Sequence, residues 1–508
     1  MKKRTEATYG RGNPFYFVSN FYVRRQRRLL IHALVVCTLL LSFVLTACAT
    51  NPATGERHIN LYSESQEIQL GQDADVQISG SLGIYPNEEL AAYVEDLGLK
   101  LAAKSERPNL PWTFRVLDDP TVNAFALPGG FIYITRGILT YLNSEAELAG
   151  VIGHEIGHVT AQHSVHRMSS QQLTQIGLGV GMVLAPELAK YGQLANTGLG
   201  LMFMKFGRDD ETQADELGLR YMGREGYDAE EMMGVMVMLD GVSQSAGGGR
   251  IPEWLSTHPD PGNRRGHIQG LIDSNGENYS GTKVGRKRYM ERIDELVFGQ
   301  NPREGLFVDN TFYHPDFEFR FDFPSGWETT NMKQGVVGLS PNQDATIQIT
   351  LADAPSIEAA ANDFFGQEGL SAESQTAGEI NGLPEISGDF AVQTQQGALR
   401  GQATFLSHKD VVYQLLGYGV EKNWQEHASV VENSIRSFNV LTDERMLSVQ
   451  PMRINIVTLD QPMTFEEFVS RYPSSISTET LALINQATLN DTFEKGQRLK
   501  QVVGEKFQ

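Results

Sequence analysis

A chain of 508 residues has room for about three domains of ~150 residues. Its 41% apolar content and 50 glycines belong to a globular protein and exclude a disordered one. Two cysteines exclude a disulfide-stapled scaffold. A formal charge of −20 excludes nucleic acid as the main partner, because phosphate binding needs a basic face that displaces counterions.

Arg24-Arg25-Gln26-Arg27-Arg28 precede an apolar run over residues 29–45, and Leu45-Thr46-Ala47-Cys48 follow directly. A basic segment, an apolar segment and small residues at a cleavage point predict a secretory signal over residues 1–47. An uncleaved membrane span over the same run is the alternative. The Leu-Thr-Ala-Cys string resembles the bacterial lipobox, which implies that Cys48 is lipidated and begins the mature chain. Ala49, where an inner-membrane retention signal would often be Asp, implies an outer-membrane position. Removing the net-positive segment leaves a more acidic protein, so attachment would rest on the acyl chains of Cys48.

Residues 48–75 are polar, with little periodicity, and read as a tether. Over 76–270 helical patterns dominate, with stripes at Leu90, Tyr93, Val94, Leu97 and Leu101 and at Leu148, Ile152, Ile156 and Val159. Short β-rich runs at 112–117 and 131–135 are separated by the turn Pro128-Gly129-Gly130. The apolar stretch 176–201 is broken by Pro186, Glu187 and Lys190 and reads as a Gly-rich flap over a cleft. Residues 271–304 predict a linker and then a helix at 288–298. From 305 to 440 short alternating strands, including 317–323 and 345–351, with helices at 357–365 and 424–435, predict a second α+β domain without a catalytic cluster. Residues 441–508 form a third, small unit. The expected fold class is α+β multidomain, with a mainly helical first domain carrying a small β-sheet.

The chemistry concentrates in His154-Glu155-Ile156-Gly157-His158. Four residues apart on a helix, both imidazoles share one face and can bind one tetrahedral zinc ion. Glu155 is placed to take a proton from water at that metal. Ser144 with Glu147 predicts a capping box, and Glu145 adds favourable charge to the first turn. Gly150, Gly153 and Gly157 each cost about 1 kcal/mol against Ala in a helix interior, so another element must approach this helix closely. The metzincin pattern HExxHxxGxxH fails, because position 161 is Ala and position 164 is Ser. His163 and His166 read as solvated residues of the helix's last turns. Glu211, opening a helix at 208–222, is the better third ligand, although its residue type alone also fits a surface carboxylate. Asp215 shares its face and suits orienting a ligand imidazole.

His154-Glu155-x-x-His158, then Glu211-x-x-Ala214-Asp215, the block 123–130 with the following strand, and Thr257-His258-Pro259 with Arg264 together resemble peptidase family M48. These are gluzincin metallopeptidases, and the soluble periplasmic branch is the nearer resemblance. It covers about residues 60–270. It implies one zinc per chain, held by His154, His158 and Glu211, with Glu155 as general base. It also gives His258 a catalytic position, as a fourth zinc ligand or as the group that stabilises the oxyanion. On residue type alone His258 is a loop histidine beside Pro259. The strand of Phe131, Ile132 and Tyr133 would be the edge on which substrate backbone pairs.

Residues 451–505 order a β-like run, a helix started by Thr464, a helix ending at Asn485, and a Gly496-Gln497 turn before a closing strand. This resembles the βααβ LysM glycan-binding module, with Pro462-Met463 where that family usually has Gly. It implies peptidoglycan as a partner, against a docking unit without sugar affinity. Together these resemblances imply a lipid-anchored periplasmic zinc metalloendopeptidase at the outer membrane, with unfolded, misassembled or stalled envelope proteins as substrates. The rival classes are a chaperone or scaffold whose proteolysis His258 suppresses, and a peptidoglycan-associated factor.

Overall fold

The computed structural model describes residues 48–179, 198–245, 253–259, 261–274, 279, 281–373, 375–394 and 397–505. The expected signal segment and most of the expected flap lie outside the described residues. Among the described residues no helix is long and apolar enough to cross a membrane.

Residues 48–75 depart from the expected tether. Strands β1 (Cys48–Thr50) and β2 (Arg57–Ile59) pair as an antiparallel hairpin, and Asn51 Oδ1 accepts from Ala53 N at 2.8 Å inside its turn. Helix α1 (Glu64–Leu82) follows, started by a Ser63/Gln66 capping box. Buried Arg107 bonds Glu67 of α1 at 2.9 Å and the carbonyl of Val159 at 3.1 Å, which fixes α1 to the core. Polarity hid this segment because its hydrogen bonds run to distant parts of the chain.

Helix α2 (Glu88–Ala102) leads into a three-stranded sheet of β3 (Thr113–Leu117), β4 (Ala124–Leu127) and β5 (Phe131–Thr135), in the order β3-β5-β4. The expected substrate edge of Phe131, Ile132 and Tyr133 is corrected here. Strand β5 is central, parallel to β3 on one side and antiparallel to β4 on the other. The Pro128-Gly129-Gly130 turn folds β4 back over its flank. On the outer side of β3, Tyr85 N donates to Val116 O. Strand β4, itself buried, is the other edge, and among the described residues no further strand pairs with it.

Helices α3 (Arg136–Tyr141), α4 (Glu145–Thr160), α5 (His163–Gly179), α6 (Gly198–Met202), α7 (Arg208–Arg224), α8 (Glu231–Ser245), α9 (Glu253–Thr257), α10 (Pro261–Ser274) and α11 (Arg286–Ile293) complete this part. All of α4 is buried, enclosed by α2, α7, α8 and β4. Helix α11 stops short of the expected 298, because Glu295 takes φ 63° and residues 295–298 exchange backbone hydrogen bonds with 452–454.

Further on, an antiparallel sheet runs in spatial order through Glu328–Met332, Gly335–Leu339, Ala345–Leu351, Val411–Val420, Gly397–His408, Leu383–Thr394 and Leu370–Ala372. Phe312, Phe319, Phe321, Tyr413 and Phe438 form an aromatic core between this sheet and a smaller one. Lys333 reaches back to Asp118 at 2.7 Å.

At the C-terminus, Arg453–Thr458 pairs antiparallel with Arg498–Val503 around helices Phe465–Arg471 and Thr478–Asn485, a βααβ arrangement. Its Ile454, Phe465, Leu481 and Val502 share one core with Leu148 and Ile152 of α4. The fully buried Lys500 ammonium donates to Thr140 O (2.8 Å), Leu142 O (2.6 Å) and Ile484 O (2.7 Å). It thereby meets the partial negative charge at the ends of two helices. This unit is built into the first one rather than appended to it.

Candidate metal centre

Helix α4 begins where Ser144 Oγ accepts Glu147 N at 3.0 Å. The expected capping box is not reciprocal, since the Glu147 carboxylate instead accepts Asn143 N, one residue earlier. The close approach implied by the glycines is made by α7. A Cβ on Gly153 would stand 3.2 Å from Gly218 Cα, and one on Gly218 would stand 2.9 Å from His154 N. With no side chain between the two backbones, Glu211 and Asp215 of α7 reach the histidines of α4.

His154, His158, Glu211 and His258 converge as one buried group able to hold a metal ion. His154 Nε2 lies 3.0 Å from His158 Nε2, 3.4 Å from His258 Nδ1 and 3.5 Å from Glu211 Oε2. Glu211 Oε1 lies 3.6 Å from His158 Nε2 and 2.9 Å from His258 Nδ1. Four donors at tetrahedral directions about 2.0–2.2 Å from a zinc ion stand roughly 3.3–3.6 Å apart. The spacing and the N/O donor set therefore fit zinc.

Around the donors, His154 Nδ1 meets Asp215 Oδ1 at 2.9 Å, and Arg264 clamps Asp215 through Nε (2.8 Å) and Nη2 (2.6 Å). Arg264 Nη1 also reaches Glu211 Oε2 at 2.9 Å. Phe206 stacks on His158 with ring centres 4.0 Å apart, and Trp254 on His258 at 4.8 Å. Neither oxygen of the Glu155 carboxylate has a hydrogen-bond partner among the described residues, nor does His258 Nε2, which faces Glu155 Oε1 across 3.7 Å. A buried, unpartnered carboxylate is costly, and its persistence marks a working group.

Burial raises the Glu155 carboxyl above the usual range even against the charges of His258 and His154. Burial pushes the Glu211 carboxyl up too, but His258 and Arg264 outweigh it and hold Glu211 well below that range. Burial and the His154 charge lower His158 well below an ordinary histidine, which keeps its ring neutral, as a ligand must be. The two carboxyls of the centre thus separate, Glu211 of α7 held low as an ionised donor and Glu155 of α4 raised above the usual carboxylate range.

Each expected site residue of α4, α7 and the 258 loop is present at the centre, whereas Phe131, Ile132 and Tyr133 lie in the sheet core. His163 departs from its expected solvated state and is buried, 2.9 Å from His158. Gln162 adopts φ 59°, which ends the helix and turns His163 back toward the metal ligands. A continued helical period would have carried it outward. Phe206 and Trp254 carried no sequence signal beyond their size.

Residues 88–272 match Peptidase family M48. They form an M48 peptidase domain. The Escherichia coli (strain K12) Beta-barrel assembly-enhancing protease is 32% identical over 225 residues, 42% of this chain and 45% of its own length. The Schizosaccharomyces pombe Mitochondrial metalloendopeptidase OMA1 is 30% identical over 212 residues, 41% of this chain and 61% of its own. The match thus spans about half the length of these curated relatives. Among solved structures, the cyanobacterial PsbP (CyanoP) from Synechocystis is 16% identical with a TM-score of 0.22, covering 27% of this chain and 95% of its own.

Proposed function

We propose that the M48 domain is a zinc-dependent endopeptidase that cleaves misfolded or stalled envelope proteins, in a chain held by lipid at Cys48 on the periplasmic side of the outer membrane. The observation that carries this reading is the tetrad of buried donors facing an unpartnered Glu155. His154, His158 and Glu211 would hold the zinc ion, which supplies Lewis acidity for a peptide carbonyl and for water. Glu155 takes the proton from the attacking water on its carboxylate and passes it to the departing amine, a task suited to a carboxyl that burial raises above its ordinary range. Asp215, held by Arg264, keeps the proton of His154 on Nδ1 and its lone pair on Nε2. Strand β4, beside α4, offers the edge for an extended substrate backbone.

His258 Nδ1 completes the tetrad, and its Nε2 faces Glu155. This favours a resting state in which His258 fills the fourth position and restrains the enzyme, so His258→Ala should raise turnover; lower turnover would assign it to the oxyanion. A permanently restrained protein would act as a chaperone or scaffold instead. The name of the bacterial relative points to β-barrel proteins as the substrate class. Peptidoglycan binding by the βααβ unit is a further element of the proposal, to be read with the whole chain in a sacculus pelleting assay. The deciding experiment is Glu155→Gln, expected to keep one bound zinc while losing cleavage of an unfolded fluorogenic protein. Cleavage equal to wild type, or cleavage indifferent to chelator, would overturn the reading.

A further inference from the structure

The ligand His154 is oriented by Asp215 at its Nδ1, but among the described residues no carboxylate meets Nδ1 of His158. Its Nδ1 lies 2.9 Å from Nδ1 of His163, a residue with 4% exposure. The hydrogen-bond directions along this contact can be assigned. Nε2 of His158 points at the other donors, so its lone pair belongs there and its proton sits on Nδ1. His163 Nδ1 must then accept, which leaves the His163 proton on Nε2, 2.9 Å from Gln213 Oε1. Gln213 Oε1 also receives Asn51 Nδ2 at 3.2 Å, and Asn51 Nδ2 further reaches the carbonyl of Ala161, the residue that closes α4, at 3.2 Å. The acceptor at the end of the chain is therefore a side-chain oxygen held by donors from two directions. Asn51 belongs to the turn of the N-terminal hairpin and is itself buried.

We propose that His163 is the positioning residue for the metal ligand His158, held in its accepting tautomer by Gln213 and Asn51, so that the N-terminal hairpin forms part of the support of the metal centre. This rests on the zinc reading above. A histidine merely filling space would need no donor at Nδ1 and no acceptor at Nε2. Here both nitrogens are engaged, and their order is dictated by the ligand. The two ligand imidazoles are then supported unequally, His154 by an ionised carboxylate and His158 by a neutral ring.

The test measures zinc affinity of the full chain by competition with a chromophoric chelator. The thermal midpoint of the chelated protein serves as the measure of the fold. His163→Leu keeps volume and removes the acceptor, and should weaken zinc about 10- to 100-fold, the range for lost outer partners of metal ligands, with little change in the chelated midpoint. His163→Asn, whose amide oxygen occupies the place of Nδ1, should recover most of the loss and restore the visible spectrum of the cobalt-loaded protein. Gln213→Leu should weaken zinc as well, and the double variant should lose less than the sum of the two. The half-buried Gln213 keeps the proposal testable if His163→Leu folds poorly. Wild-type affinity in His163→Leu, or strictly additive losses, would overturn the proposal while leaving the zinc reading intact. Absence of zinc binding by the wild-type chain would overturn both.

Discussion

Gly218→Ala tests whether the metal centre depends on the contact between α4 and α7. The new Cβ would stand 2.9 Å from His154 N and 3.1 Å from Gly153 C, both backbone atoms that cannot swing aside. Carbon contacts settle at about 3.5–4.0 Å, so α7 must withdraw by roughly half an ångström. Overpacking of this kind costs about 1–3 kcal/mol, and replacing a helical glycine returns about 1 kcal/mol, so net stability falls by roughly 0–2 kcal/mol. The metal should respond more strongly. Asp215 and Glu211 ride on the same helix, and ligand distances tolerate only about 0.2 Å. A zinc affinity lower by about tenfold or more is expected, read by chelator competition beside thermal scans of the chelated protein. Gly150→Ala is the matched control, because the atoms nearest its Cβ would be side-chain atoms of Met222 and Met232, at 3.4 Å or more. It should keep zinc affinity and add up to about 1 kcal/mol of stability. Wild-type zinc affinity in Gly218→Ala, or equal losses in both variants, would refute the reasoning.

Burial lifts the Glu147 carboxyl from its ordinary 4.5 up to about 7. Between those values the folded chain keeps a proton that the unfolded chain has lost, so stability falls as pH rises through that window. Glu147→Gln should flatten the fall in thermal midpoint between pH 5 and 8, and an unchanged slope would contradict this. Lys500→Met removes the donor to the carbonyls of Thr140 and Leu142, while Ile484 O keeps Asn143 Nδ2 at 3.1 Å. Set against relief from burying an ammonium, the loss should be about 2–4 kcal/mol, seen as a lower midpoint for the full chain; an unchanged midpoint would refute it. Cys48→Ser should release the protein from membranes, and sedimentation with membranes after a salt wash would argue against the lipid anchor.

The donors at the centre were legible because their chemistry is local. His154 and His158 share a helix face by period alone, Glu155 must flank them, and the glycines of α4 announced a close neighbour before α7 was seen to be it. The βααβ order of the C-terminal unit was equally readable, since each of its elements carries its own cap or turn. Register across a sheet was not readable in this way. Strand β5 was expected at an edge, and it is central because β4, only four residues long, folds back along it.

What the residue order settles here is what depends on neighbours a few positions apart: helix faces, caps, turns and the ligand spacing of His154 and His158. What long-range packing settles is everything whose partner lies far along the chain. Asn51 meets Gln213, Arg107 meets Glu67 and Val159, and Lys500 meets Thr140 and Leu142. The physical reason is that a polar side chain carries no mark of its distant acceptor. Asn51 reads as a tether residue and Lys500 as a surface lysine until the fold removes water from around them, and from then on their buried hydrogen bonds must be met by whichever group the packing brings within 3 Å.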